Sequence, residues 1–221
     1  MMMNLFSVFD PYTSGFQINW ISLLLVYLFI PVMYYVLSSG LKAGVSNFVS
    51  GVANNLKEIV FPFYLVLMLM GLGVFMFMVY SNLTGLFSFV FTSTAHPMFT
   101  MGVGLVYWVA FMIMGWSQSF VKCAAHLVPE GSPVVLVPLL VLIELISHMI
   151  RPFTLSIRLA ANMMAGHLIM GLLSSISLFS KMSFIISVVL QMILFVLEIA
   201  VAVIQGLVFS ILMLLYAVEF Y

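Results

Sequence analysis

Between residues 144 and 219 an otherwise apolar sequence carries a sparse and regular set of side chains able to handle protons. Glu144, Arg151 and Arg158 recur at seven-residue intervals, which drift by only about 20° per step on an ideal helix, so the three share one face. Asn162, four residues beyond Arg158, belongs to that face as well. His167, nine residues from Arg158, is turned about 180° away and looks toward another neighbour, the following helix being the nearest candidate. Further along, Gln191, Glu198, Gln205 and Glu219 keep the seven-residue frame, with Leu212 in the one apolar slot.

The chemistry open to such a set is proton transfer. Carboxylates and imidazoles strung along two helices can line water-filled cavities, and burial and neighbouring charges bring their titration into a working range. Arg158 cannot take part in a relay, because a guanidinium keeps its proton at any physiological pH. It is a fixed positive charge that holds a nearby carboxylate ionised and repels an excess proton, which makes it a barrier between two proton paths. A charge at the centre of a membrane span costs about 2.5 kcal/mol or more, so Arg158 and Glu198 need a partner or a task. Gln191 is accounted for more simply, as a polar group that glues helices together. Ser156, Ala160, Ala161, Ala165 and Gly166 let another helix approach Arg158 closely. Its counter-charge is open between Glu198 and a carboxylate of another subunit.

The elements that must hold these groups are membrane helices. Of 221 residues, 65% are hydrophobic and 5% charged, where a soluble domain carries about 25% charged residues. Apolar runs of spanning length fall at 20–38, 59–80 and 99–121, followed by two longer runs at 134–178 and 183–218. The stretch 41–57 differs: Leu41, Val45, Phe48, Val49, Val52 and Leu56 fall on one helical face with lysines and asparagines mostly elsewhere, an amphipathic helix suited to the membrane surface. The expectation is an all-α polytopic membrane protein, a single domain with about five membrane helices and one surface helix.

The two long runs cannot stand upright. A helix over 134–178 would be about 65 Å long, roughly twice the hydrocarbon thickness. IRPF at 150–153 offers no glycine for a reversing turn, so one long tilted helix, kinked at Pro152, is expected. The last run carries no proline and tilts too, and the short connection at SLFSKMS makes the pair an antiparallel hairpin. Positive charge sets the orientation: Lys42, Lys57 and Lys122 put the loops at 39–58 and 122–133 inside and the N-terminus outside, with Lys181 the one exception.

Six basic residues balance six acidic ones, so no basic surface invites nucleic acid. The single cysteine, Cys123, excludes an internal disulfide, and Cys123 with His126 falls short of a metal site. The N-terminus lacks the basic region and cleavage site of a secretory signal and the arginines of a transit peptide. Nineteen methionines and twenty-one phenylalanines beside so few lysines suggest an organelle-encoded protein, a bacterial membrane protein being the alternative.

RLAANMMAGHLI (158–169), preceded by Glu144 in IELISHMIRPFTLSIRL, resembles subunit a of the F-type ATP synthase. The likeness extends to LVPEGSP at 127–133, to Asn82 in YSNLTGL and to EIAVAVIQGLVFSILMLLYAVE near the C-terminus, covering nearly all the chain after about residue 60. His167 in the motif paired with Glu198 on the last helix resembles the mitochondrial members.

The resemblance implies a proton-conducting stator packed against a rotating ring of c subunits, with peripheral-stalk and other membrane-sector subunits as partners. It implies that Arg158 is the arginine facing the ring carboxylates. It assigns Glu198 and His167 to an outer half-channel, Glu144 and Glu219 to the half-channel on the matrix side, and Asn162 and Gln205 to the arginine's polar surroundings. It implies a mitochondrial inner membrane location with the N-terminus in the intermembrane space. No cofactor is implied, and the chain has no phosphate-binding glycine loop for phosphoryl chemistry of its own. Arg151 departs from relatives with lysine or glutamine there; it is expected to snorkel to an interface or pair with Glu144. Two other classes compete: a respiratory proton-pump subunit, which calls for repeated halves with broken helices, and a structural anchor, in which Arg158 and Glu198 would tolerate neutral replacement.

Overall fold

The computed structural model describes residues 9–12, 18–29, 40–60, 65–87, 90–118, 128, 136–177 and 180–220, with the side chains of residues 41, 42, 118, 219 and 220 left aside. Among them the secondary structure is wholly helical: α1 (Ser22–Phe29), α2 (Gly40–Val60), α3 (Leu65–Gly85), α4 (Pro97–Gln118), α5 (Val137–Ile176) and α6 (Lys181–Phe220), with 3₁₀ turns at Ile18–Ile21 and Ser93–Ala95. Four of these helices, α3 to α6, are long and apolar enough to cross a membrane. The chain is a polytopic membrane protein. The expected span at 20–38 is helical over Ser22–Phe29, and its remainder from residue 30 lies outside the described residues.

The two long runs are each one unbroken helix of 40 residues, about 60 Å. Pro152 sits inside α5, where the helix tolerates it as membrane helices do when neighbours enclose the disturbed turn. Ser156 Oγ donates to the Pro152 carbonyl at 2.7 Å, and both residues are buried. Helix α4 closes over that point through Gly104, where an added Cβ would meet Ser156 Oγ at 2.7 Å.

Helix α6 packs against both α5 and α3. Gly166 of α5 meets Glu198 and Arg151 meets Tyr216, so partners move up α6 as α5 is followed back, and the pair is an antiparallel hairpin. Helix α3 also runs antiparallel to α6, with Gly71 against Leu214, Val79 against Gly206 and Asn82 against Ala202. Two glycines make this approach possible. A Cβ on Gly71 would lie 2.6 Å from Leu214 Cδ1, and one on Gly206 would lie 2.6 Å from Val79 Cγ2.

The amphipathic reading of residues 41–57 meets a helix over Gly40–Val60 whose Val52, Leu56 and Val60 are buried while Asn54, Asn55, Lys57 and Glu58 are exposed. Those three join a core of Val74, Phe75 and Met78 from α3, Leu155 and Leu159 from α5, and Phe209, Met213 and Leu214 from α6. Burying each such side chain contributes on the order of 1.5–3 kcal/mol against water, but against lipid the gain is mainly close packing. Helix α3 extends to Gly85, five residues beyond the expected end at 80. The extra turn carries Ser81, Asn82 and Thr84, all buried; polar groups there face protein rather than lipid, so the apolar run underestimates the helix.

Candidate functional site

The hairpin carries two separate groups of polar side chains, and a third lies where α3 and the loop after it close against it. The first group is centred on Glu198. Its side chain lies flat on Gly166, so close that a Cβ there would be 2.8 Å from Glu198 Cδ and 3.3 Å from Cγ. Glu198 is buried, and its Oε1 has no hydrogen-bond partner among the described residues. Asn162, Ala165, Gly166 and Glu198 line one cavity of about 180 Å³ between α5 and α6, room for several water molecules at about 30 Å³ each. A carboxylate with an unmet oxygen beside such a space can exchange a proton with water.

His167 follows Gly166 but points elsewhere. The backbone of Gly85, at the end of α3, lies within hydrogen-bonding reach of its imidazole, and Phe9 stands edge-on to the ring with centroids 6.4 Å apart. Its Nε2 is buried without a partner among the described residues. The turn away from Arg158 thus leads to α3 and the N-terminal segment rather than to α6. Helical spacing gives the angle but not which neighbour occupies it.

Arg158 lies exposed on α5, with no ion-pair partner among the described residues. Of the two counter-charges open from the sequence, Glu198 is turned inward onto Gly166 and forms no ion pair with it. Nearby Ala161 is exposed as well, and Asn162 is partly buried.

The second group occupies the first half of α5. His148 Nε2 is 3.3 Å from Glu144 Oε1, and Arg151 Nη2 is 4.0 Å from the same oxygen. His148 is 5% exposed, whereas the Glu144 and Arg151 side chains are 40% and 33% exposed. The Arg151 guanidinium also lies over the Tyr216 ring at 5.6 Å, a cation–π contact worth about 0.5–1 kcal/mol at such a site. The pairing of Arg151 with Glu144 is therefore present, with His148 as a third member that the periodic pattern leaves out. Gln205 is partly buried on α6, and the Glu219 side chain lies outside the described residues.

The third group was not singled out by spacing. Asn82 is fully buried and donates from Nδ2 to the Ala202 carbonyl at 3.3 Å, one turn beyond Glu198. Thr92, Ser93 and Thr94 are buried in the segment before α4. The signal was the composition of TSTAH, a polar run between two apolar spans. No cluster of metal-ligating side chains occurs among the described residues.

The ATP synthase A chain family matches residues 15–218. The chain is 39% identical over 221 residues to ATP synthase subunit a of Artemia franciscana, covering 99% of this chain and 100% of that one. It is 40% identical over 225 residues to ATP synthase subunit a of Locusta migratoria, covering both in full. Against the Aedes aegypti protein of the same name the figure is 41% over 224 residues, with 99% of each chain covered. The sequence, its helices and these full-length matches agree, and the chain belongs to the ATP synthase A chain family as a membrane-sector component of an ATP synthase.

Proposed function

We propose that this subunit is the proton-conducting stator of a rotary ATP synthase in the mitochondrial inner membrane, loading and unloading protons on the carboxylates of a rotating c-ring. Two aqueous half-channels serve the ring. Glu198 and His167 carry protons from the outer side, where the lysine-free 81–98 loop and the N-terminus lie by the charge rule. Glu144 and Glu219 receive them on the matrix side. Arg158 stands between, flanked by Asn162 and Gln205.

The observation that carries this reading is the pairing of an exposed Arg158 without an ion-pair partner among the described residues with a Glu198 buried against Gly166. A guanidinium on the outer face of a membrane helix is too costly to leave facing lipid, and the carboxylate it needs is supplied by the ring. A ring carboxylate that has taken a proton from Glu198 is neutral and can turn into lipid. On its return the field of Arg158 favours the ionised form, and the proton leaves toward Glu144 and Glu219. A proton-motive force of about 200 mV gives about 4.6 kcal/mol per proton, so several protons must pass for each ATP. A gear-like ring meets that requirement.

Cross-linking in the assembled complex tests the geometry. A cysteine at Ala161 or Asn162 is expected to cross-link to the carboxylate-bearing helix of the ring. Cross-links formed only from the face of His167 would overturn the orientation assigned to α5.

A further inference from the structure

Polar atoms buried without a hydrogen-bond partner among the described residues are Glu198 Oε1, His167 Nε2, Asn82 Oδ1, Thr92 Oγ1, Thr94 Oγ1 and His96 Nε2, with Ser22 Oγ besides. Contacts join the elements that carry the first six along a seam. Glu198 lies on Gly166, the residue before His167, and His167 reaches the backbone of Gly85. Thr92 covers Gly85 in turn, its Cγ2 being 3.3 Å from where a Cβ would stand. Asn82 ties α3 to Ala202 of α6, and Ala95 packs with Leu86, Met163 and Ala202. At the far end the His96 ring stacks on Phe91 at 5.1 Å and leans on Trp20 at 5.7 Å.

Thr92 is 2% exposed and Thr94 and Asn82 0%, so these side chains hold hydrogen-bonding atoms away from lipid without a protein partner among the described residues. Such atoms are satisfied by ordered water or not at all. The aromatic pair at the far end fixes an imidazole, whose unprotonated ring nitrogen is a proton acceptor. Of the elements packed against the 3₁₀ turn at Ser93–Ala95, α3 brings only Tyr80 as a titratable side chain and α4 only Tyr107, whereas α5 carries Glu144, His148, Arg151, Arg158 and His167, of which His167 reaches Gly85. The N-terminal segment, whose Phe9 meets His167 and whose Trp20 meets His96, carries Asp10 and Tyr12. Glu198 of α6 lies beyond.

We infer that the segment 92–96 is the water-holding outer mouth of the route to His167 and Glu198, with the His96 imidazole as its first proton acceptor. This rests on the assignment of Glu198 and His167 to the outer half-channel.

The test uses the complete ATP synthase in proteoliposomes, with ATP synthesis driven at a fixed membrane potential while the outer-side pH is varied. His96→Gln is expected to match the parent near pH ~6 and to lose roughly tenfold in rate near pH ~8, where collecting a scarce proton limits the cycle. Equal rates for His96→Gln and the parent across that range would overturn the inference. If His96→Gln does not assemble, Thr94→Cys in a Cys123→Ser background carries the test. Silver ion added outside then stops synthesis if the seam holds water, and leaves it unchanged if the inference is wrong. Glu198→Gln in the same vesicles separates the two readings. Normal synthesis by Glu198→Gln sinks the outer half-channel itself, whereas an inactive Glu198→Gln beside an unaffected His96→Gln sinks only the mouth.

Discussion

Gly166→Ala asks the most of the contact on which the outer half of the site is built. The new methyl would stand 2.8 Å from Glu198 Cδ and 3.3 Å from Cγ, with Oε1 closer still. Carbon atoms are comfortable at about 3.5 Å, so the carboxyl group must withdraw by roughly 0.7 Å, and its oxygen by more. What moves is the far end of a flexible side chain, at a strain of about 0.5–1.5 kcal/mol, and the subunit still assembles. Function is less forgiving, since a displacement near 1 Å in a reacting group costs up to about a hundredfold in rate. Proton-driven ATP synthesis by the assembled complex in vesicles is therefore expected to fall by roughly ten- to a hundredfold. Shortening the acid relieves the clash, so Gly166→Ala with Glu198→Asp should run faster than Gly166→Ala alone, a non-additivity expected only of residues in contact. Parental rates in an assembled Gly166→Ala complex, or no recovery in the double variant, would refute the reasoning.

Two further substitutions separate packing from proton handling. At Gly206 a Cβ meets Val79 Cγ2 at 2.6 Å and the Val79 backbone nitrogen at 3.3 Å; backbone cannot swing aside, so Gly206→Ala should destabilise by about 1–3 kcal/mol. The measurement is the thermal midpoint of the complex in detergent, and an unchanged midpoint contradicts the close α3–α6 packing. Arg151→Gln removes a 4.0 Å contact to a half-exposed carboxylate, worth at most about 1 kcal/mol, and ATP synthesis should stay within about twofold of the parent on that account. A loss of about tenfold or more would put Arg151 in the proton path rather than beside it.

Much of this architecture could be read from the chain itself, because lipid leaves few choices. Apolar runs of spanning length must be helices, and the absence of a turn signal at IRPF kept α5 in one piece, as found over Val137–Ile176. Seven-residue spacing put Glu144 and Arg151 on one face, where they meet at 4.0 Å. Spacing on one helix says nothing of the helix opposite. The contact of Glu198 with Gly166 and the approach of His167 to Gly85 depend on how α3, α5 and α6 pack. The glycines that set those distances, Gly71, Gly166 and Gly206, look in sequence like any small residue of a membrane helix. The polar end of α3 and the segment TSTAH were hidden for a related reason. They are polar stretches at span boundaries, where side chains that face protein cannot be told by composition from those that face water.

The central claim is that Arg158 is a charge barrier serving a ring carboxylate, and the most direct measurement is proton-driven ATP synthesis by an assembled Arg158→Gln complex. A shorter, neutral amide leaves the fold of α5 in place, since Arg158 is exposed and holds no ion pair among the described residues. The account predicts a complex that assembles with its ring and makes no ATP from an imposed proton gradient. Normal synthesis by that complex would contradict it.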